Sequence, residues 1–228
     1  MTCRLMATAM SVAFLVGYPS AQAAQPEAAE ARRLRDASAV FGEIMSAADK
    51  GIPEAILGKA EGIAIFPGTL KGGFVVGGMR GRGVLSARTA DGWSSPAFLT
   101  LTGGSFGLQI GGQAADIVLI INDRRGLENL VRNQFKLGAD AGVAAGPVGR
   151  DAQAATDLQL RAQILSYSRA RGLFAGVTIS GSTVRPDRDA NERFYGTRLE
   201  TQQIVFDGTA QPPSVVQAWV DTLRRYAL

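Results

Sequence analysis

Between residues 62 and 121 the chain alternates short runs of β-forming residues with glycines, and this pattern constrains the fold more than any other feature. The runs are four to six residues long and occupy 63–66, 73–76, 83–86, 97–102, 106–110 and 117–121. They start roughly 10 residues apart, a spacing typical of antiparallel sheets and too short for strand–helix–strand units. Glycine accounts for 28 of 228 residues, and glycines inside and beside strands favour bulges and tight bends.

Helical patterns flank this β-rich region. Apolar residues recur three and four positions apart from residue 30 to Ala48, which predicts an amphipathic helix ending before Gly51. Pro53 indicates the first turn of a second, short helix. Further helical segments are expected at 125–134, at 191–195 and after the prolines 212–213, and further β structure at 164–182 and 204–206, with a hairpin tip at 79–83. The predicted fold class is α+β: a curved, glycine-rich antiparallel sheet, barrel-like or strongly twisted, flanked by an N-terminal and a C-terminal helix.

The N-terminus has the features of a secretory signal. Arg4 is followed by an apolar stretch too short to span a bilayer, and Ala21-Gln22-Ala23 is a cleavage pattern. We therefore expect a signal peptide at 1–23, cleaved near Ala23, a flexible lead at 24–30, and one domain at 31–228. Cys3 precedes the apolar stretch, so it is not the acylated cysteine of a lipoprotein. The expected location is the periplasm or the exterior, without a lipid anchor.

The composition removes most catalytic chemistry. Histidine is absent and Cys3 is the only cysteine, which excludes Ser-His-Asp and Cys-His pairs and Cys/His metal sites. The glycines match neither common nucleotide-binding pattern. Asp123 stands where a helix N-cap is expected, and Asp187 and Asp189 form the one D-x-D pair of the domain in a charged loop. We predict a protein that is not an enzyme and uses no metal or cofactor.

The charge distribution indicates a mildly basic surface. Lys and Arg number 24 against 20 Asp and Glu, and the longest basic run is Arg32-Arg33-x-Arg35, so a nucleic-acid partner is not expected. Cations beside glycine turns suit anionic headgroups, although solubilising charge explains them equally well. The candidate lipid-binding residues are Lys71, Arg80, Arg82, Arg88, Arg169, Arg171 and Phe174. The first helix either packs on the domain, the commoner use of such a helix, or lies in a membrane interface.

Five stretches of the chain resemble the SYLF domain. They are 52–88, 91–122, 137–152, 167–182 and 191–196, and the segments YSRARGLFAGV and NERFYG are the most specific. This resemblance, over about residues 34–227, places Lys71, Arg82, Arg88 and the 169–174 block at matching family positions. It implies a lipid-binding module for phosphoinositides or other anionic lipids, helped by an N-terminal amphipathic helix, with actin binding in fungal members.

The resulting prediction is an exported, membrane-associated module that recognises anionic phospholipid or phosphoinositide-type headgroups. Phosphatidylglycerol, cardiolipin and a host lipid all remain possible ligands. Actin is not expected as a partner, because an exported protein would not meet it. The alternative function is a scaffold of the cell envelope that binds another envelope protein and no lipid.

Overall fold

The computed structural model describes residues 28–47, 51–73, 76–106, 113–149 and 162–227. The predicted signal peptide, residues 24–27 of the lead and most of the run 106–110 lie outside the described residues. The helices are α1 (Ala29–Ser46), α2 (Glu54–Leu57), α3 (Arg124–Arg132), α4 (Arg188–Tyr195), α5 (Thr201–Val205) and α6 (Val215–Tyr226). The strands are β1 (Gly62–Gly73), β2 (Val76–Thr89), β3 (Gly92–Trp93), β4 (Ala97–Phe106), β5 (Gln113–Ile121), β6 (Phe135–Lys136), β7 (Val143–Ala145), β8 (Ile164–Ala170), β9 (Leu173–Gly176) and β10 (Thr183–Pro186).

The strands form one strongly curled sheet in the order β6-β10-β4-β2-β1-β5-β8-β7, with β3 paired to β2 and β9 to β8. The predicted α+β class, with a curved sheet and helices at both ends, is confirmed. The pairing is antiparallel throughout the central strands, but β7 runs parallel to β8. The sheet is therefore mixed, which the short turn spacing had not indicated.

The central strands are much longer than the runs that predicted them. Runs 63–66 and 83–86 lie inside β1 and β2, which have 12 and 14 residues. The stretch 79–83 lies inside β2 and pairs with β4 along its whole length, and Met79 and Arg80 also pair with β1, so the predicted hairpin tip is wrong. Strand β1 ends at Gly73 and β2 begins at Val76, and residues 74 and 75 of the predicted run 73–76 lie outside the described residues. The glycines of this region therefore lie within continuous strands. Strand β1 changes register against β5 at a bulge between Phe66 and Thr69, and such a bulge bends the strand.

Both faces of the central strands are buried. One face packs against α1 and α6, where Leu34, Phe41 and Trp219 are fully buried. The opposite face packs against α3 and α5, with Leu127 and Ile204 in its core. Burial on both sides explains why β5 ends in five consecutive buried apolar residues. The apolar stripe of α1 is thus used for packing, the commoner of the two uses considered.

Two local predictions have opposite outcomes. Asp123 caps α3 as expected, since its carboxylate accepts a hydrogen bond from the Gly126 N–H at 2.9 Å. The predicted strand at 204–206 is wrong, because these residues belong to α5 and its C-cap. Glu200 and Gln203 form a capping box that starts this helix. Among the described helices, none combines the length and apolar character needed to cross a bilayer.

Candidate functional site

The Arg-Gly-Arg-Gly sequence of β2 has a structural explanation. Side chains alternate between the two faces of a strand, so Arg80 and Arg82 share one face while Gly81 and Gly83 share the other. A Cβ atom at Gly81 would overlap the Thr69 hydroxyl, and one at Gly83 would overlap backbone and ring atoms of β1. Glycine is therefore required where the sheet curls tightly. The arginines share the face of Val84, which packs in the core under α1 and α6, but their side chains are exposed, and we call this uncovered part of the face the open face.

The open face of β2 continues onto the two neighbouring strands. Arg82 lies opposite Thr100 of β4, which in turn lies opposite Arg185 of β10. Arg80 lies opposite Thr102 by the same register. We call Arg80, Arg82 and Arg185 the arginine strip. All three side chains are exposed, and none forms an ion pair with another described residue.

A second basic surface lies where β1 and β8 end. Leu70 is 65% exposed and lies opposite both Arg80 and Ala114. Lys71 projects from the opposite face of β1 and is half-buried, and this burial lowers the pKa of its ammonium group. Lys71 thus places a basic group directly after the exposed apolar side chain of Leu70 in the sequence of β1.

The β8–β9 hairpin reaches the same end of the sheet. Arg171 and Gly172 form its two-residue turn with φ of 50° and 78°, the left-handed conformation that tight hairpins require. Leu173 follows and is 78% exposed. Arg171, Gly172 and Ala114 line one groove of about 420 Å³, which places this turn beside the strand neighbour of Leu70. We call Leu70, Lys71, Arg80, Arg171 and Leu173 the hairpin end.

Arg169 of β8 forms ion pairs that connect this strand to α1 and β5. Its guanidinium donates to the Asp116 carboxylate at 2.9 Å and also pairs with Glu43 of α1. Burial acts to lower the pKa of Arg169, but the hydrogen bonds and charges of the two carboxylates raise it overall. The side chain is therefore committed to holding α1 against β5 and β8.

Two further ion pairs fix α1 to α4. Arg33 bonds Asp187 at 3.1 Å, and Glu30 accepts from Arg193 at 2.7 Å. Arg33 and Glu30 are both buried, so these pairs are shielded from water on the helix side. The first helix is attached by charges as well as by its apolar stripe.

Arg88 and Phe174 also lie in structural positions. Arg88 donates from Nε to the Ala60 carbonyl at 2.8 Å and from Nη2 to the Leu57 carbonyl at 2.9 Å, and its guanidinium lies 4.7 Å from the centre of the Trp93 ring. Phe174 stacks on the buried ring of Tyr167 with centroids 5.4 Å apart. Neither side chain presents its functional group to a ligand at the surface.

The arrangement favours binding over acid–base chemistry. Burial raises the pKa of the Tyr167 and Tyr195 hydroxyls far above neutrality, so neither serves as a base at physiological pH. Among the described residues no group of three His, Cys, Asp or Glu side chains could hold a metal ion. What the surface does offer is exposed guanidinium groups, which recognise carboxylates and phosphates through paired hydrogen bonds.

The structure divides the predicted site residues into two sets. Arg80, Arg82, Arg171 and Lys71 lie at or near open surfaces, whereas Arg88, Arg169 and Phe174 hold the fold together. Sequence reasoning missed Arg185 and Leu70 as site residues. Leu70 had a local signal in the sequence, since it directly precedes Lys71, but Arg185 joins the strip only through strand register.

Comparison with known proteins gives a family match and several relatives. The family model Ysc84, described as "Las17-binding protein actin regulator", matches residues 102–226. LAS seventeen-binding protein 3 of Saccharomyces cerevisiae is 37% identical over 173 residues, which cover 74% of this chain and 37% of that protein. The human SH3 domain-containing YSC84-like protein 1 is 35% identical over 187 residues, covering 80% of this chain and 54% of that protein. The chain thus spans about a third to a half of the length of these relatives.

Proposed function

This chain belongs to the Ysc84 (SYLF-domain) family, and we propose that it is an exported, non-catalytic module that binds anionic phospholipid surfaces. The observation that carries the proposal is the hairpin end. Leu70 and Leu173 are the two large apolar side chains that the described part of the chain exposes, and cations accompany both. Exposed apolar side chains next to cations suit the boundary between acyl chains and phosphate groups.

The energies of such a contact are sufficient for reversible attachment. Burying one leucine side chain contributes about 1.5–3 kcal/mol, and each Lys or Arg near an anionic surface contributes about 1 kcal/mol. Two leucines with Lys71, Arg80 and Arg171 would therefore compete with the entropy lost on binding. Salt should weaken the contact, since the cationic part is screened within about 10 Å at 0.1 M.

The proposed location follows from the predicted signal peptide. A protein exported past the inner membrane meets phosphatidylglycerol and cardiolipin, and it would not meet the actin named in the family description. We therefore propose anionic lipid, and not actin, as the partner. Arg88, Arg169 and Phe174 are left out of the proposed contact because their side chains are engaged within the fold.

Vesicle flotation tests the proposal. The purified protein is mixed with phosphatidylcholine vesicles of graded phosphatidylglycerol content at low and high salt. Binding should rise with anionic lipid and fall with salt. The double variant Arg80→Gln/Arg171→Gln should weaken binding by about 2 kcal/mol, roughly thirtyfold.

Arg132→Gln provides the matched control. Arg132 is exposed at the end of α3, on the side of the sheet opposite the open face of β2, and its loss should leave vesicle binding unchanged. If the control variant loses as much binding as the double variant, charge alone is responsible and the hairpin end is not the contact. Absence of binding at every composition would refute the proposal and favour an envelope scaffold that binds a protein partner.

A further inference from the structure

We propose that a groove along α1 binds a short peptide by its free amino and carboxyl ends. The hollow of about 420 Å³ beside the β8–β9 turn adjoins a second hollow of about 340 Å³, and Glu43, Gly68 and Asp116 line both. We call the two hollows together the α1 groove. Ligand pockets commonly enclose about 300–1,000 Å³, so the α1 groove has room for a few residues of peptide. The arginine strip does not line it, and it shares only Arg171 with the hairpin end.

The α1 groove brings together parts of the chain that are distant in sequence. One hollow is lined mainly by α1 and the bulge of β1, and the other mainly by the start of β5 and the β8–β9 turn. Arg169 joins these parts, because it pairs with both Glu43 of α1 and Asp116 of β5. The folded chain therefore forms the groove without help from a ligand, which lowers the entropic cost of binding.

Unpaired charges of opposite sign lie in the two hollows. Asp36 lines the hollow beside α1, and Arg171 lines the hollow beside the turn. Both side chains are exposed, and neither forms an ion pair with another described residue. The groove thus presents a carboxylate to the ammonium group of a peptide. At its other end it presents a guanidinium, which bonds both oxygens of a carboxylate.

The carboxylates between these ends add one further acceptor. Asp116 is fully engaged, since Oδ1 accepts from the Gly68 N–H and Oδ2 from the Arg169 Nε–H, each at 2.9 Å. Glu43 pairs with Arg169 through Oε2 and is 63% exposed, and its Oε1 accepts no hydrogen bond from a described residue. Glu43 and Asp36 therefore make the α1 side of the groove acidic, which favours an ammonium group there.

The spacing along α1 sets the length of the ligand. Asp36 and Glu43 are seven residues apart, which is about two helical turns, so they lie on the same side of α1 about 10 Å apart along its axis. Arg171 lines only the hollow at the Glu43 end. An extended peptide advances about 3.3 Å per residue, so three or four residues bridge the distance between the two charges.

The lining between the charged ends favours small side chains. It includes Ala39, Ala114 and Ala115, and an added Cβ at Gly68 or Gly172 would lie in open space. Both glycines have positive φ, of 54° and 78°, so a side chain at either position is disfavoured and the backbone of a ligand can approach closely. Recognition therefore depends on the two ends of the peptide more than on its side chains.

Calorimetric titration of the purified protein with tetra-alanine tests this inference. The peptide is supplied in three forms: one with both ends free, one N-acetylated and one C-amidated. Blocking either end removes one charge-assisted contact and should weaken binding about tenfold. Because the blocked peptides are compared on the unchanged protein, this arm of the test does not depend on the folding of any variant.

Two variants assign each end of the peptide to its residue. Asp36→Asn should abolish the preference for a free amino group and keep the preference for a free carboxyl group, and Arg171→Gln should do the reverse. Asp207→Asn and Arg132→Gln are the matched controls. Both control residues are exposed and lie outside the groove, so these variants should bind all three forms as the unchanged protein does.

The outcomes separate this inference from the proposed function. The inference is wrong if tetra-alanine does not bind, if the blocked peptides bind as well as the free one, or if either groove variant weakens all three forms alike. Asp36→Asn should leave vesicle flotation unchanged, because Asp36 lies outside the hairpin end. Peptide binding without vesicle binding contradicts only the proposed function, and vesicle binding without peptide binding contradicts only this inference.

Discussion

Replacing Arg88 by methionine should unfold the protein more easily without altering its ligand contacts. Arg88 connects three separate parts of the chain, because its guanidinium reaches the carbonyls of Leu57, Ala60 and Ala227. Methionine preserves much of the side-chain length over Trp93 and removes every donor. The change therefore isolates the hydrogen bonds and the cation–π contact from simple packing.

The cost can be worked out contact by contact. The Ala60 carbonyl has no other donor among the described residues, so removing the arginine leaves it without a hydrogen bond, which costs about 1.5–3 kcal/mol. The Leu57 and Ala227 carbonyls retain bonds from the Ala60 N–H and from Trp93 Nε1, and losing the arginine there costs about 0.5 kcal/mol each. The contact with Trp93 adds about 0.5–1 kcal/mol. The sum is about 3–5 kcal/mol, which corresponds to a drop in Tm of roughly 6–20 °C for a domain of this size.

Urea unfolding followed by tryptophan fluorescence measures this cost. Arg82→Gln serves as the control, because Arg82 is exposed and forms no ion pair with a described residue, and its free energy of unfolding should change by less than about 0.5 kcal/mol. In vesicle binding the folded Arg88→Met protein should bind normally, because Arg88 lies outside the hairpin end. A stable Arg88→Met protein that fails to bind vesicles would refute this reasoning and assign Arg88 to the lipid contact.

Three further results are expected. Gly83→Ala should cost several kcal/mol because the new Cβ would overlap β1, whereas Gly72→Ala, with open space around its Cα, should be nearly neutral in the same unfolding assay. Lys71→Met should stabilise the fold at neutral pH, since burial disfavours the charged lysine. The unfolded chain binds that proton more tightly, so the advantage should shrink as pH rises through the lowered pKa toward 10.5. Leu173→Ser should leave the unfolding midpoint unchanged and reduce retention on anionic vesicles, and equal retention would remove this leucine from the contact.

Prediction from the sequence succeeded where neighbouring residues determine the structure. The stripe containing Leu34 and Phe41 and the cap at Asp123 depend on spacings of three or four residues, and both are as expected. The Arg-Gly-Arg-Gly stretch misled because glycine serves turns and close strand packing equally well. Only the proximity of Thr69 and β1 reveals which use applies to Gly81 and Gly83.

The candidate site was harder to predict because its members are distant in sequence. Arg185 and Thr100 are 85 positions apart, and no local pattern states that β10 pairs with β4. Conversely, sequence analysis placed Arg88 and Arg169 among the candidate lipid-binding residues, but both side chains form hydrogen bonds or ion pairs within the fold. An arginine beside a glycine therefore indicates a binding role only when its surroundings leave the guanidinium free.

The sheet combines strands that are close together in the sequence with strands from much later in the chain, and this affects how cooperatively it unfolds. The four central strands, β4-β2-β1-β5, come from the single stretch between Gly62 and Ile121, whereas β10 joins the sheet from much later in the chain. Partial opening of such a sheet releases its outer strands first, so β6 and β10 would separate from β4 together, and Arg185 would leave with β10 while Arg80 and Arg82 remain. Hydrogen exchange should therefore be faster at Val184 of β10 than at Val118 of β5, which is paired with β1 on one side and with β8 on the other.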